Sequence, residues 1–172
     1  MMKLLSAVAI SLLASCATMQ QRNLTDSEIA MVMRVANLGE VREGELARTK
    51  ATDTAVRDFA SMMVTEHTAQ NNKTESELAP VDVASADSDL SRQLDAASGA
   101  TTDRLRALSG PAFDRAYIDR QVDAHQSLIA LIDSKLMPSA RKRQVRDQLT
   151  ALRALADKHL TRAKQIQGSL PR

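Results

Sequence analysis

From Asp26 to Gln167 the apolar residues return every three or four positions, and the residues that break helices stand only between the segments so marked. No stretch alternates apolar and polar with a period of two, so the chain has helices to pack and nothing from which to build a sheet. Thr25-Asp26-Ser27-Glu28 has the form of a capping box and predicts a first helix from about Asp26 to Lys50. Thr52-Asp53 caps a second, carrying Val56, Phe59, Ala60, Met63, Val64 and Leu78, which Pro80 stops. After a connector from Pro80 to Asp87 comes a weaker helical pair, Leu90, Leu94 and Ala97 and then Leu105 and Leu108, interrupted near Gly99-Ala100-Thr101. Ser109-Gly110-Pro111 is the clearest break. The fourth helix then runs to about Leu136, Pro138 marks a turn, and the fifth runs from about Ser139 to Gln167. The fold class expected is all-α: four long helices as an up-down bundle of the ferritin-like kind, with a helical crossover between the second and third long helices. No internal repeat is visible. Gly39 and Gly44 inside the first helix each cost about 1 kcal/mol against Ala, which points to close approach of a neighbouring helix there.

Ahead of the bundle, Lys3 is followed by an apolar run from Leu4 to Leu13 and by Leu13-Ala14-Ser15-Cys16. About ten apolar residues are too few to span a bilayer but suit the core of a signal peptide. Leu-Ala-Ser-Cys resembles the bacterial lipobox, in which the cysteine is acylated and becomes the first residue of the mature protein; ordinary cleavage after Ala17 is the alternative. The expected division is a lipoprotein signal peptide over 1–15, a lipidated Cys16 with its tether over 16–25, and one bundle domain over 26–167. The membrane, reached through the lipid, is then a partner, and the place is the periplasmic side of the envelope. Ala17 rather than Asp after the cysteine favours the outer membrane. Cys16 is the chain's one cysteine, so no intramolecular disulfide can form.

Composition removes other classes. Phe59, Phe113 and Tyr117 are the only aromatics and Trp is absent, so there is no surface on which bases or sugars could stack. Lys and Arg number 23 against 21 Asp and Glu, which leaves no basic field to attract nucleic acid. No Gly-rich phosphate loop, nucleophile elbow or paired-cysteine motif is present, so hydrolase and nucleotide-enzyme readings lack residues.

Turning residues by 100° per position shows which polar groups share an apolar stripe. His67 lies with Val56, Ala60, Met63, Val64 and Leu78; His125 with Ile118, Val122, Ile129, Ile132 and Leu136; His159 with Val145, Leu152, Leu155, Ala163 and Ile166. All three histidines of the chain point inward, as do Glu43, with Glu40 to one side, and Asp114. Buried carboxylates need a partner or a metal, and neutral imidazole is a common transition-metal ligand. The candidate metal set is therefore His67, His125, His159, Glu40, Glu43 and Asp114, with Tyr117 nearby; the alternative is a polar core that only fixes helix register. The residues three before His67 and His159 are Val64 and Ala156, so the Glu-x-x-His pairs of di-iron bundles are missing. Heights at 1.5 Å per residue sort the groups into a lower layer of His67, His125 and Glu40 and an upper layer of Glu43, Asp114, Tyr117 and His159.

Asn37-Leu38-Gly39-Glu40-Val41-Arg42-Glu43-Gly44-Glu45-Leu46-Ala47, then Val56, Phe59-Ala60, Met63 and Glu66-His67, then Leu108, Gly110, Phe113-Asp114, Tyr117, His125 and His159-Leu160, resemble the bacterial exported proteins grouped as domain of unknown function 4142. The resemblance covers about residues 26–165 and implies a ferritin-like bundle in the periplasm or at the outer membrane; it supplies no reaction. Glu40, Glu43, His67, Asp114, Tyr117, His125 and His159 all stand on its landmarks, and Glu66 is the one departure. Two functions follow: an envelope lipoprotein binding a transition metal or acting in envelope stress through its inward groups, or a non-catalytic helical protein whose outer surface binds a protein partner or a second copy. Neither requires an enzyme. Arg141, Lys142, Arg143 and Arg146, expected at the same end as the tether, would turn that end towards the membrane.

Overall fold

The computed structural model describes residues 23–171; the signal, lipidation and most of the tether assigned above fall outside them. Helix α1 spans Asp26–Lys50, α2 Thr54–Leu78, α3 Asp89–Arg106, α4 Gly110–Leu131 and α5 Arg143–Ser169. A single 3-10 turn, Ala79–Val81, follows α2. Helix α4 continues through a π-helical turn, Ile132–Leu136, into a last short turn, Met137–Ser139. Among the described residues there is no strand.

The ends of the helices follow the local chemistry. Thr25 and Glu28 make the capping box, the Thr25 side chain accepting from the Glu28 N–H while the Glu28 carboxylate accepts from the Thr25 N–H at 2.9 Å. Asp53 accepts from the N–H groups of Ala55 and Val56. Gly110 takes φ +59° just before Pro111, a conformation that suits glycine where one helix must end and another begin.

Helices α1 and α2 form one antiparallel hairpin, α4 and α5 another, and the same device closes both. The Asp114 carboxylate at the start of α4 accepts from the N–H groups of Thr52 (3.0 Å) and Asp53 (2.9 Å) in the first turn, and Asp26 at the start of α1 accepts from those of Arg141 (2.8 Å) and Lys142 (3.1 Å) in the second. Arg57 donates to the Ala51 and Thr52 carbonyls, as Arg146 does to those of Ala140 and Arg141. These contacts fix the directions: α1 rises, α2 descends, α3 climbs back along α1, α4 descends and α5 rises. The basic turn therefore shares an end with the start of α1. Its cations are mostly engaged within the chain, for Lys142 donates to the Val81 carbonyl and Arg143 pairs with Asp147 at 3.2 Å. No described helix is long and apolar enough to cross a membrane.

Two expectations are corrected. The crossover is one uninterrupted helix, α3, rather than a pair broken near Gly99. Its buried residues, Ser91, Ser98, Thr101, Thr102 and Leu105, keep helical spacing, but four of the five are small hydroxyl side chains that give little apolar signal. The last long helix begins at Arg143 rather than Ser139, because Ala140–Lys142 are taken up by the turn that Asp26 holds.

The apolar core is in two parts. The upper one centres on Val56, Phe59, Met63, Phe113, Tyr117, Ile118 and Ile166, the lower on Ile29, Met33, Leu78, Ile132, Leu136, Leu149 and Leu152. On each of α1, α2, α4 and α5 a buried polar residue separates the two: Asn37, His67, His125 and His159.

At Gly44 helix α1 packs tightly on α2, since a Cβ there would meet Val64 Cγ2 at 2.9 Å and the Ala60 carbonyl oxygen at 3.2 Å. Gly44→Ala is expected to cost about 1–3 kcal/mol in urea unfolding. Gly99, in the interior of α3, has nothing within 4 Å of that position, so Gly99→Ala should instead stabilise by up to about 1 kcal/mol. A loss at Gly99 equal to that at Gly44 would contradict this packing.

Candidate metal centre

The three histidines meet at mid-height. Their ring centroids lie 5.0 Å (His67 and His159), 5.4 Å (His125 and His159) and 5.9 Å (His67 and His125) apart. One nitrogen from each lies within 4.8 Å of the others. All three side chains are buried, at 1% exposure or less.

The second nitrogen of each ring is also engaged or oriented. His125 Nδ1 is 2.8 Å from the Gln121 carbonyl, which can only accept, so the proton is on Nδ1 and Nε2 carries a lone pair. His159 Nε2 is 2.9 Å from the Glu66 carboxylate, again an acceptor, so its inner Nδ1 is bare. His67 Nδ1 donates to Asn37 Oδ1 at 2.8 Å, leaving Nε2 free. That bare Nε2 faces the bare Nδ1 of His159 at 3.2 Å, and His125 Nε2 is buried without any hydrogen-bond partner. With Asn37 Oδ1 as the acceptor for His67, three lone pairs converge with no proton among them, and an acceptor outside each ring sets its tautomer and orientation. Such outer partners are what metal-ligating histidines use.

Protonation is disfavoured here. Burial pushes His125 down to about 4, against the pull of the Gln121 carbonyl. Burial likewise takes His159 to about 4 despite the Glu66 carboxylate, and His67 is held well below its ordinary value by burial and by the other two rings. Burial alone would raise Glu66, but hydrogen bonds from Lys158 (2.6 and 2.8 Å) and His159 outweigh it and hold the carboxyl below its usual range. The imidazoles are therefore neutral near pH 7.

The other sequence-predicted residues fall elsewhere. His159, expected in the upper layer, lies level with His67 and His125. The later start of α5 lowers every position on it by four residues, about 6 Å. Glu40 and Glu43 stand above the histidines with Tyr117. Arg120 Nη2 reaches Glu43 Oε1 at 3.1 Å, and Gln121 Nε2 lies 3.4 Å from Glu43 Oε2. Glu43 is pushed up to about 7 by burial first and then by the Glu40 charge, with Arg120 opposing; burial raises Glu40 as well, and holds the Tyr117 phenol well above its usual range. Asp114 belongs to neither group, being spent on Thr52 and Asp53 at the upper end. Asn37, Glu66, Arg120 and Gln121 received no role from the sequence, although Asn37 and Gln121 lie on the inward stripes of α1 and α4 and Glu66 precedes His67.

The family model for "Domain of unknown function (DUF4142)" matches residues 12–166. The chain belongs to this family. No curated protein sequence matches it. Among solved structures, the crystal structure described as "putative secreted protein DUF305 from Streptomyces coelicolor" superposes with a TM-score of 0.68 at 13% identity, covering 86% of this chain and 96% of the other. At that identity the likeness shows the fold of this DUF4142 member and nothing of its chemistry.

Proposed function

We propose that this DUF4142 protein is an exported envelope lipoprotein that binds one transition-metal ion through His67, His125 and His159. The observation that carries the reading is the convergence of three bare imidazole nitrogens whose outer N–H groups are anchored on Asn37, Gln121 and Glu66. A register-setting polar core would have had its buried nitrogens paired, and His125 Nε2 is not. Three imidazoles with no thiolate suit Zn, Cu, Fe or Ni, and a small closing movement would bring all three nitrogens to the roughly 2.0–2.1 Å of a metal–imidazole bond. A fourth position is left for water. The export signal at residues 1–15, Cys16 in its lipobox and the word "secreted" attached to the structural relative support the envelope location.

Metal analysis tests the reading. Protein purified without chelator, or stripped and offered Zn, Cu, Fe or Ni in turn, should hold about one ion per chain. Saturation at a hundredfold over the dissociation constant adds about 2.7 kcal/mol to stability, a rise of several degrees in Tm. His125→Ala should abolish both. Glu66→Gln, which keeps the shape but weakens the anchor of His159, should loosen binding by about 10- to 100-fold. Retention of none of the four metals would refute the proposal.

A further inference from the structure

The centre supplies no negative charge. Its three ligands are neutral, and the adjacent Glu66 is already matched by Lys158. A divalent cation there would be an uncompensated charge in the dry middle of the bundle. One turn above Asn37 on the same face of α1 stands Glu40, and Glu43 follows one turn further; both are buried. Gln121 joins this layer to the centre, since its carbonyl holds His125 and its side-chain amide reaches Glu43.

The charges and hydrogen-bonding atoms of that upper layer can be counted from every helix. Helix α4 contributes Arg120 and Tyr117, its other cation, Arg115, being held at the Gln167 and Leu170 carbonyls; α3 contributes the Ser98 hydroxyl; and the buried titratable side chains of α2 and α5 are His67 and His159 themselves. Two ionised carboxylates beside one guanidinium leave a net charge of −1, and a single proton brings the layer to zero. Buried Glu40 Oε2, Gln121 Oε1, Tyr117 Oη, Ser98 Oγ and Arg120 Nε have no hydrogen-bond partner, so a hydrogen placed on the Glu40 carboxyl has an open acceptor in Gln121 Oε1. Arg120 among these groups disfavours a second metal ion there.

We propose that Glu40 and Glu43 together store one proton while the three-histidine centre is empty and release it to solvent when a divalent cation enters, so that the core exchanges a proton for a metal ion. The inference rests on the metal reading above. The hydrated cation exchanges bound waters for three nitrogen ligands, those waters going to solvent, and the carboxyl O–H gives its proton to the buffer. The pair is poised for this, since burial and mutual repulsion bring Glu43 to about 7.

Zinc titration of chelator-stripped protein at pH 6.5, followed with a pH indicator in weak buffer, should release about one proton per zinc bound. The histidines, already neutral, contribute almost none. In the Glu40→Gln, Glu43→Gln double variant zinc should still bind at the histidines with nearly no release, and its affinity should be flat between pH 6 and 7, where the wild type gains up to tenfold per unit. Should the variant fail to fold, the wild type alone decides: a protonated-carboxyl infrared band should be present without zinc and disappear with it. Stoichiometric zinc binding without proton release or band loss overturns this inference and leaves the metal centre standing, as does equal release from a folded double variant. Absence of zinc binding while Cu, Fe or Ni binds moves the same measurement to that metal, and absence of all binding overturns both readings.

Discussion

Asp114→Ala is expected to lower the stability of the fold by about 3–5 kcal/mol, and Asp26→Ala by only about 1 kcal/mol, although the two carboxylates do the same job at opposite ends of the bundle. Asp114 is 2% exposed and serves three donors: the Thr52 N–H, the Asp53 N–H and the Thr52 hydroxyl. Removing it takes the shared acceptor from all three donors at once, at about 1–3 kcal/mol for each that water cannot reach. Asp26 is only partly buried, so water can take over the N–H groups of Arg141 and Lys142. Urea unfolding of both variants at pH 7 in chelator measures the difference. Equal losses would show that Asp114 is not the buried clasp between the first hairpin and α4.

Asp114 also shows what the sequence could and could not convey. A helical wheel gives the angle of a side chain about its axis, and on that measure Asp114, Glu43 and the histidines all read correctly as inward. It gives no height, which depends on the loops. The three residues of the Ala140–Lys142 turn moved the start of α5, and with it His159, into the layer of His67 and His125. Caps and breakers were legible because their chemistry is local: Thr25 with Glu28, Asp53, Ser109-Gly110-Pro111. Helix α3 was legible only in part, because it packs on α1 through Ser and Thr rather than through an apolar stripe. The anchors Asn37 and Glu66 had no local mark either. Each is an ordinary helical residue whose meaning comes from a ring on another helix, His67 for one and His159 for the other.

The last expectation concerns acid stability without metal, where the two polar layers act in opposite directions. His125, lowered from 6.5 to about 4, contributes stability that is fully present above pH 6.5 and lost as pH falls through about 4. Glu43, raised from 4.5 to about 7, contributes stability that is fully present below pH 4.5 and lost as pH rises through about 7. Each amounts to roughly 3 kcal/mol, so on acidification from pH 7 to 4.5 the gain from Glu43 offsets much of what His125 loses. Lowered His159 and His67 add to the loss and raised Glu40 to the gain. In the Glu40→Gln, Glu43→Gln variant the offset is gone and the histidines alone set the slope. Its unfolding free energy should therefore fall over that range by at least about 3 kcal/mol more than the wild type's, as measured in urea with chelator present. The same slope in both proteins would mean that Glu43 is already ionised at neutral pH, and that its partnership with Arg120 outweighs the burial and the Glu40 charge that raise it.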